Sequence, residues 1–231
     1  MGNSPANIGV TIMLDVFAIR IVSAFLAIVL IARFLLSAVF ARLTGESLGS
    51  VKASRPIGFV IDFLCVFLNF VPIIFYLLGA IIPSWVYGTL LNLSFNGAEF
   101  LQVASIPIVL FGALLAGWSS KTLGQQASDK VEIRERHSLI TTGPYSRIRH
   151  PGYTARMIID WGVFLLFFNA LQFICLLAWI GVAYRKAVLE EELLASEEGF
   201  GKKYSDYMLR TGRFLPKARG RSGHILLAGG E

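Results

Sequence analysis

Apolar residues in this chain come in long unbroken runs. They do not alternate as in a half-buried strand, nor recur every three or four positions as on a one-faced helix. Five runs stand out, at residues 16–40, 57–82, 100–118, 153–168 and 171–187. Helices of this kind suit a hydrocarbon layer of about 30 Å, crossed at about 1.5 Å per residue. The pattern predicts an all-α integral membrane protein with about five transmembrane helices. The last two runs are near the lower length limit, and Asn169-Ala170 between them predicts a tight hairpin, tilted or partly sheltered by protein.

The polar connections set an orientation. Arg42, Lys52 and Arg55 follow the first run, and Lys121, Lys130, Arg134, Arg136, Arg147 and Arg149 follow the third. The tail after the fifth is also basic, whereas 83–99 and the Asn169 turn contain no Lys or Arg. Positive charge stays on the cytoplasmic side, which predicts the N-terminus outside and the C-terminus in the cytoplasm. Two charges fall inside runs, Arg33 and Asp62, at matching depths from the same side. Either they pair between the first two helices or Arg33 snorkels alone.

Composition strengthens the membrane reading. The chain has 231 residues, of which 55% are hydrophobic and 16% charged, against roughly a quarter charged in soluble domains. A net charge of +6 is then a matter of basic loops, and nucleic acid is not expected as a partner. Cys65 and Cys175 lie within apolar runs and read as small buried hydrophobes. No Cys/His spacing suggests a metal. The first nineteen residues lack Lys and Arg, so a secretory signal is not expected; a short interfacial stretch before a membrane helix is.

Candidate chemistry lies in the C-terminal third. Thr141-Thr142-Gly143-Pro144 punctuates the chain, and Pro151 imposes an extended conformation on His150 while suiting the first turn of a helix. That helix N-terminus, with Arg147, Arg149 and His150, would welcome a carboxylate; a headgroup-binding loop is the alternative. Glu190, Glu191 and Glu192 follow the fifth run. One of them turned inward could hold an ammonium group, or all could be a solvated face with a Lys186–Glu190 pair. Together the two clusters could grip a zwitterion such as the methionine part of S-adenosylmethionine.

The segments Leu139-Ile140-Thr141-Thr142-Gly143-Pro144-Tyr145 and Arg149-His150-Pro151-Gly152-Tyr153 form a first motif block. Glu190-Glu191, Leu193-Leu194, Phe200-Gly201, Tyr204, Tyr207 and Thr211-Gly212-Arg213-Phe214-Leu215-Pro216 form a second. In this order they resemble the isoprenylcysteine carboxyl methyltransferase family, within a superfamily that includes phospholipid N-methyltransferases. The resemblance implies S-adenosylmethionine-dependent methyl transfer to a lipophilic or lipid acceptor at the cytoplasmic membrane face. It implies a cofactor site lined by Tyr145, Arg149, His150, Pro151 and Tyr153, with Glu190 and Glu191 as its acidic side. Lys186, or alternatively Arg185, would meet the acceptor. Glu190, Glu191 or His150 would take a proton from an amine acceptor. The sequence departs from the family pattern at Ala155, where glycine is usual, and in two extra residues between Leu194 and Phe200.

No GxGxxG loop after a strand and no Ser/His/Asp or Cys/His constellation is evident, so soluble dinucleotide-type cofactor binding is not expected. The expected organisation is membrane helices forming an acceptor tunnel (1–118), a cofactor-binding region with hairpin and lid (119–216), and a disordered tail (217–231). Within it, about 190–208 can be helical with an interfacial apolar side and close the pocket as a lid, a plain surface anchor being the alternative. Two other functions fit the same residues: phospholipid N-methylation, and a non-catalytic membrane protein keeping the fold.

Overall fold

The computed structural model describes residues 16–43, 51–54, 58–88, 91–93, 98–126 and 131–217. Its elements are α1 (Val16–Leu43), β1 (Val51–Ser54), α2 (Phe59–Ile81), α3 (Pro83–Tyr87), α4 (Ala98–Leu123), β2 (Glu132–Arg134), α5 (Pro151–Phe167), α6 (Ala170–Ala195) and α7 (Lys202–Arg210). Each of the five expected apolar runs is a helix. Of these α2, α4 and α6 are long and apolar enough to cross a membrane, and α5 has 17 residues. Large apolar side chains such as Phe59, Phe63, Phe67, Phe100 and Leu114 point outward, as lipid-facing surfaces require. The side chains of Arg33 and Asp62, and the tail 218–231, lie outside the described residues.

One expectation needs correction. The fold is not purely helical: β1 and β2 pair antiparallel, with Val51 opposite Arg134, Ala53 opposite Ile133 and Ser54 opposite Glu132. Burial makes this pair worthwhile, because Val131 and Ile133 pack against Leu193 of α6. The stretch 190–208 is helical in two pieces. α6 runs on to Ala195, Ser196 ends it, and α7 begins only after Gly201, whose φ of 53° favours glycine.

The helix pair that carries the site is held by close backbone approach. A Cβ on Gly162 would lie 2.3 Å from Val109 Cγ2, and one on Gly112 would lie 2.8 Å from Ile159 Cγ1 and 3.0 Å from the Ala155 carbonyl. Small residues let α4 and α5 pack tightly where lipid gives no hydrophobic drive between helices. At the far end, the last carbonyls of α5 find side-chain donors. Tyr87 Oη and Gln102 Nε2 donate to the Leu166 carbonyl (2.9 and 2.8 Å), and Asn92 Nδ2 to that of Phe167 (2.9 Å). The chain then reverses as expected. Phe168 takes a left-handed conformation, and Asn169 Oδ1 accepts from the Leu171 N–H at 3.0 Å, capping α6.

Candidate active site

Three chain segments meet where α5 begins and α6 ends. The turn Gly143–Ser146 and the following extended residues bring Arg149 and His150 to Pro151, which opens α5. A strap after α7, residues 211–214, runs alongside them. Arg149 N–H donates to the Gly212 carbonyl (2.8 Å), His150 N–H to the Arg213 carbonyl (3.0 Å), and Gly212 N–H to the Arg147 carbonyl (3.1 Å). Thr154 Oγ1 adds a bond to the Phe214 carbonyl at 2.8 Å. Gly212 lets the strap fold back on its own continuation, since a Cβ there would fall 1.7 Å from the Leu215 carbonyl oxygen.

Glu191 is the hub of the arrangement. It is 5% exposed and receives Arg149 Nε at 2.8 Å, His150 Nε2 at 3.1 Å and Arg213 Nη2 at 2.7 Å. Arg149 Nη1 also donates to the Met208 carbonyl at 3.3 Å and to that of Thr211. Two guanidinium groups and an imidazole nitrogen surround one buried carboxylate, and partners of this kind are what make a buried charge tolerable. The other imidazole nitrogen, Nδ1, faces Glu190 Oε2 at 3.2 Å. The ring stacks on Tyr153 with centroids 5.4 Å apart and planes at 4°, and Tyr153 Oη donates to Glu190 Oε1. Burial by itself would push the His150 imidazole down. The bonds and charges of Glu190 and Glu191 outweigh it, and His150 stands above its usual value.

A cavity of about 250 Å³ opens beside this cluster, just below the roughly 300–1,000 Å³ of typical ligand pockets. Tyr145, His150, Tyr153, Glu190, Phe200 and Tyr204 line it, with β2 contributing Glu132. Tyr207 lines it too, and its Oη donates to the Tyr145 carbonyl at 2.6 Å. Burial pushes the Tyr145 and Tyr204 phenols up and that of Tyr207 to about 12, so all three stay protonated at neutral pH. Pro151 is buried at the start of α5 behind this wall.

The residues expected in the site therefore occupy different positions. Glu190 lines the cavity, Glu191 sits behind it in the ion cluster, and Glu192 is exposed. Lys186 is 5% exposed with its Nζ 5.9 Å from the Tyr153 ring centroid, whereas Arg185 faces outward. Arg213 is a site residue that the motif and the basic tail do not single out: Thr211-Gly212-Arg213-Phe214 supplies both the strap and a cation. A buried pair within α5, Arg156 Nε to Asp160 Oδ2 at 2.9 Å, was also missed. Opposite charges at i and i+4 inside an apolar run were the signal for it.

Comparison with known proteins agrees with the motifs. Residues 105–196 match the isoprenylcysteine carboxyl methyltransferase (ICMT) family. The chain is 29% identical over 148 residues to protein-S-isoprenylcysteine O-methyltransferase of Xenopus laevis, covering 61% of this chain and 50% of that protein. It is 29% identical over 153 residues to the Homo sapiens protein of the same name (61% and 51%). Identity is 25% over 119 residues to a probable protein-S-isoprenylcysteine O-methyltransferase of Oryza sativa subsp. indica (51% and 62%). The chain spans about half the length of the curated animal relatives it matches. The family resemblance read from the two motif blocks is borne out.

Proposed function

We propose that this chain, which matches the isoprenylcysteine carboxyl methyltransferase family over residues 105–196, moves a methyl group from S-adenosylmethionine to a lipophilic acceptor bearing a carboxylate. The reading places the reaction at the cytoplasmic face of a membrane crossed by five helices, with α7 and the strap as the cover of the cavity. The observation that carries it is the pairing of opposite charges around Tyr153: Glu190 in the cavity wall and the buried Lys186 over the ring.

The side chains present fit the cofactor. Glu190 offers a carboxylate to an ammonium group, and the faces of Tyr145, Phe200 and Tyr204 offer flat apolar surfaces to a purine and to a sulfonium. When bound, S-adenosylmethionine supplies an activated methyl on positively charged sulfur. The protein's part is alignment and exclusion of water. His150, fixed by both acids, holds the Tyr153 ring; Tyr153 in turn orients Glu190 through its hydroxyl. Lys186 would draw the acceptor carboxylate toward the same ring. A carboxylate needs no general base, so Glu191 can remain fully occupied with Arg149, His150 and Arg213.

Lys186 also weighs against phospholipid N-methylation, because a lysine beside the Tyr153 ring repels a cationic amine headgroup brought to that ring. The deciding experiment is calorimetric binding of S-adenosylmethionine, followed by labelled-methyl transfer to S-prenylated N-acetylcysteine and, separately, to extracted phospholipid. Label on the small carboxylate supports the proposal. Label on phospholipid selects the other acceptor, and a wild-type protein that binds no S-adenosylmethionine overturns the enzyme reading.

A further inference from the structure

We propose that Arg156 is a positioning residue that fixes the membrane-side wall of the site, by joining α5 to a carbonyl that Pro72 leaves unpaired in α2. Pro72 lies inside α2. A proline there has no N–H to give the carbonyl four residues earlier, which is that of Leu68. In apolar surroundings such a carbonyl is costly unless another donor reaches it.

Arg156 provides that donor from the neighbouring helix. Its Nη2 donates to the Leu68 carbonyl, and its Nη1 to the carbonyl (3.2 Å) and side-chain oxygen of Asn69. Its Nε is held by Asp160 at 2.9 Å, one turn along α5. Asp160 is 2% exposed, so the pair is neutral where an isolated charge would be expensive. A guanidinium with these partners is a tie between helices, with its charge already balanced.

The tie reaches the site through one ring. The Arg156 guanidinium lies 5.1 Å from the centroid of Trp179 in α6, and Trp179 meets Tyr153 edge-on at 6.2 Å and 85°. Tyr153 lines the cavity, while Trp179 stands behind it among the apolar core residues, with Arg156 against its ring. A lipophile approaches from that apolar side. Arg156 therefore sets where Trp179, and with it the acceptor-facing side of Tyr153, can stand. The order of contacts is Pro72, Leu68, Arg156, Trp179, Tyr153, across three helices.

The kinetic part of the test rests on the methyl-transfer reading; the structural part does not. Arg156→Gln together with Asp160→Asn removes the reach to α2 without stranding a buried charge, and adding Pro72→Ala returns a helical N–H to the Leu68 carbonyl. In lipid nanodiscs the neutral pair is expected to raise the KM for S-prenylated N-acetylcysteine about fivefold or more. Its kcat and its affinity for S-adenosylmethionine should stay within about twofold of wild type. The triple variant should recover most of the lost acceptor affinity.

Independently of activity, spin labels at Val66→Cys and Trp161→Cys, with Cys65 and Cys175 replaced by alanine, should show a broadened α2–α5 distance distribution in the neutral pair. The distribution should narrow again in the triple variant. The proposal is overturned if Pro72→Ala rescues neither readout, or if acceptor and cofactor affinities fall in parallel. An inactive wild type whose label distances follow the expected cycle would end the methyl-transfer reading and leave the tie standing.

Discussion

At the scale of single residues, the three successive glutamates show how position on a helix end divides labour among identical side chains. Glu191 faces two arginines and the His150 ring, so Glu191→Gln leaves buried charge without its partner, a loss of about 3–5 kcal/mol for a buried pair broken from one side. The expected outcome is a large fall in melting temperature in detergent. Glu190→Gln should instead lower S-adenosylmethionine affinity about tenfold to a hundredfold, the worth of a hydrogen bond to a charged group, with a much smaller thermal shift. Calorimetry and a melting curve on the same samples check both.

His150 adds a pH dependence of definite sign. Its folded value lies above the usual imidazole value of about 6.5. Its contribution to stability is therefore complete below that usual value and is lost as pH rises through the higher folded one. Thermal stability of the wild type should decline across that window on the alkaline side. A His150→Gln protein should be flatter there and less stable at the acid end; a steeper alkaline decline in the variant would contradict this origin.

At the scale of elements, the sequence was most legible where one physical demand acted alone. The need to cover apolar surface marked the five helices, and Asn169 marked the hairpin that caps α6. Proline at 151 marked the start of α5. The β1–β2 pair was not legible, because each strand is short and its basic residues belong to a loop pattern; only the burial of Val131 and Ile133 against Leu193 reveals it. The end of α6 was misplaced for a similar reason. Glutamates and leucines continue helical propensity past residue 187, and it is Ser196 and the Gly199–Gly201 turn that stop it.

Close packing of α4 on α5 makes a prediction at this scale. Gly162→Ala puts a methyl 2.3 Å from Val109 Cγ2, and such overpacking costs about 1–3 kcal/mol. Limited proteolysis in detergent should show faster cleavage between α4 and α5 than in the wild type. An unchanged protease pattern would mean that the pair can spread without loss.

At the scale of the whole molecule, the candidate site lies at one end of the helices. The turn containing Asn169 and the Tyr87–Gln102–Asn92 group lie at the other end of α5. Under the proposed orientation, cysteines introduced at Asn92 and at Lys217, in a background free of Cys65 and Cys175, should react with a membrane-impermeant maleimide from opposite sides of sealed vesicles. Position 217 should be reached from the side that was cytoplasmic. Labelling of both from one side would dismantle the orientation.

The strap at 211–214 has a consequence for how such a chain can diversify. Because Gly212 and Arg213 are zipped to Arg147, Arg149 and His150, the stretch from 147 to 214 is closed upon itself like a drawn purse. Its two ends are held to each other, while α5 still leans on α4 and α2. Upstream sequence can then vary most where it meets neither the α4 face that Gly162 approaches nor the Leu68–Pro72 stretch of α2. A doorway altered within those bounds would leave the purse, and what it holds, as it was.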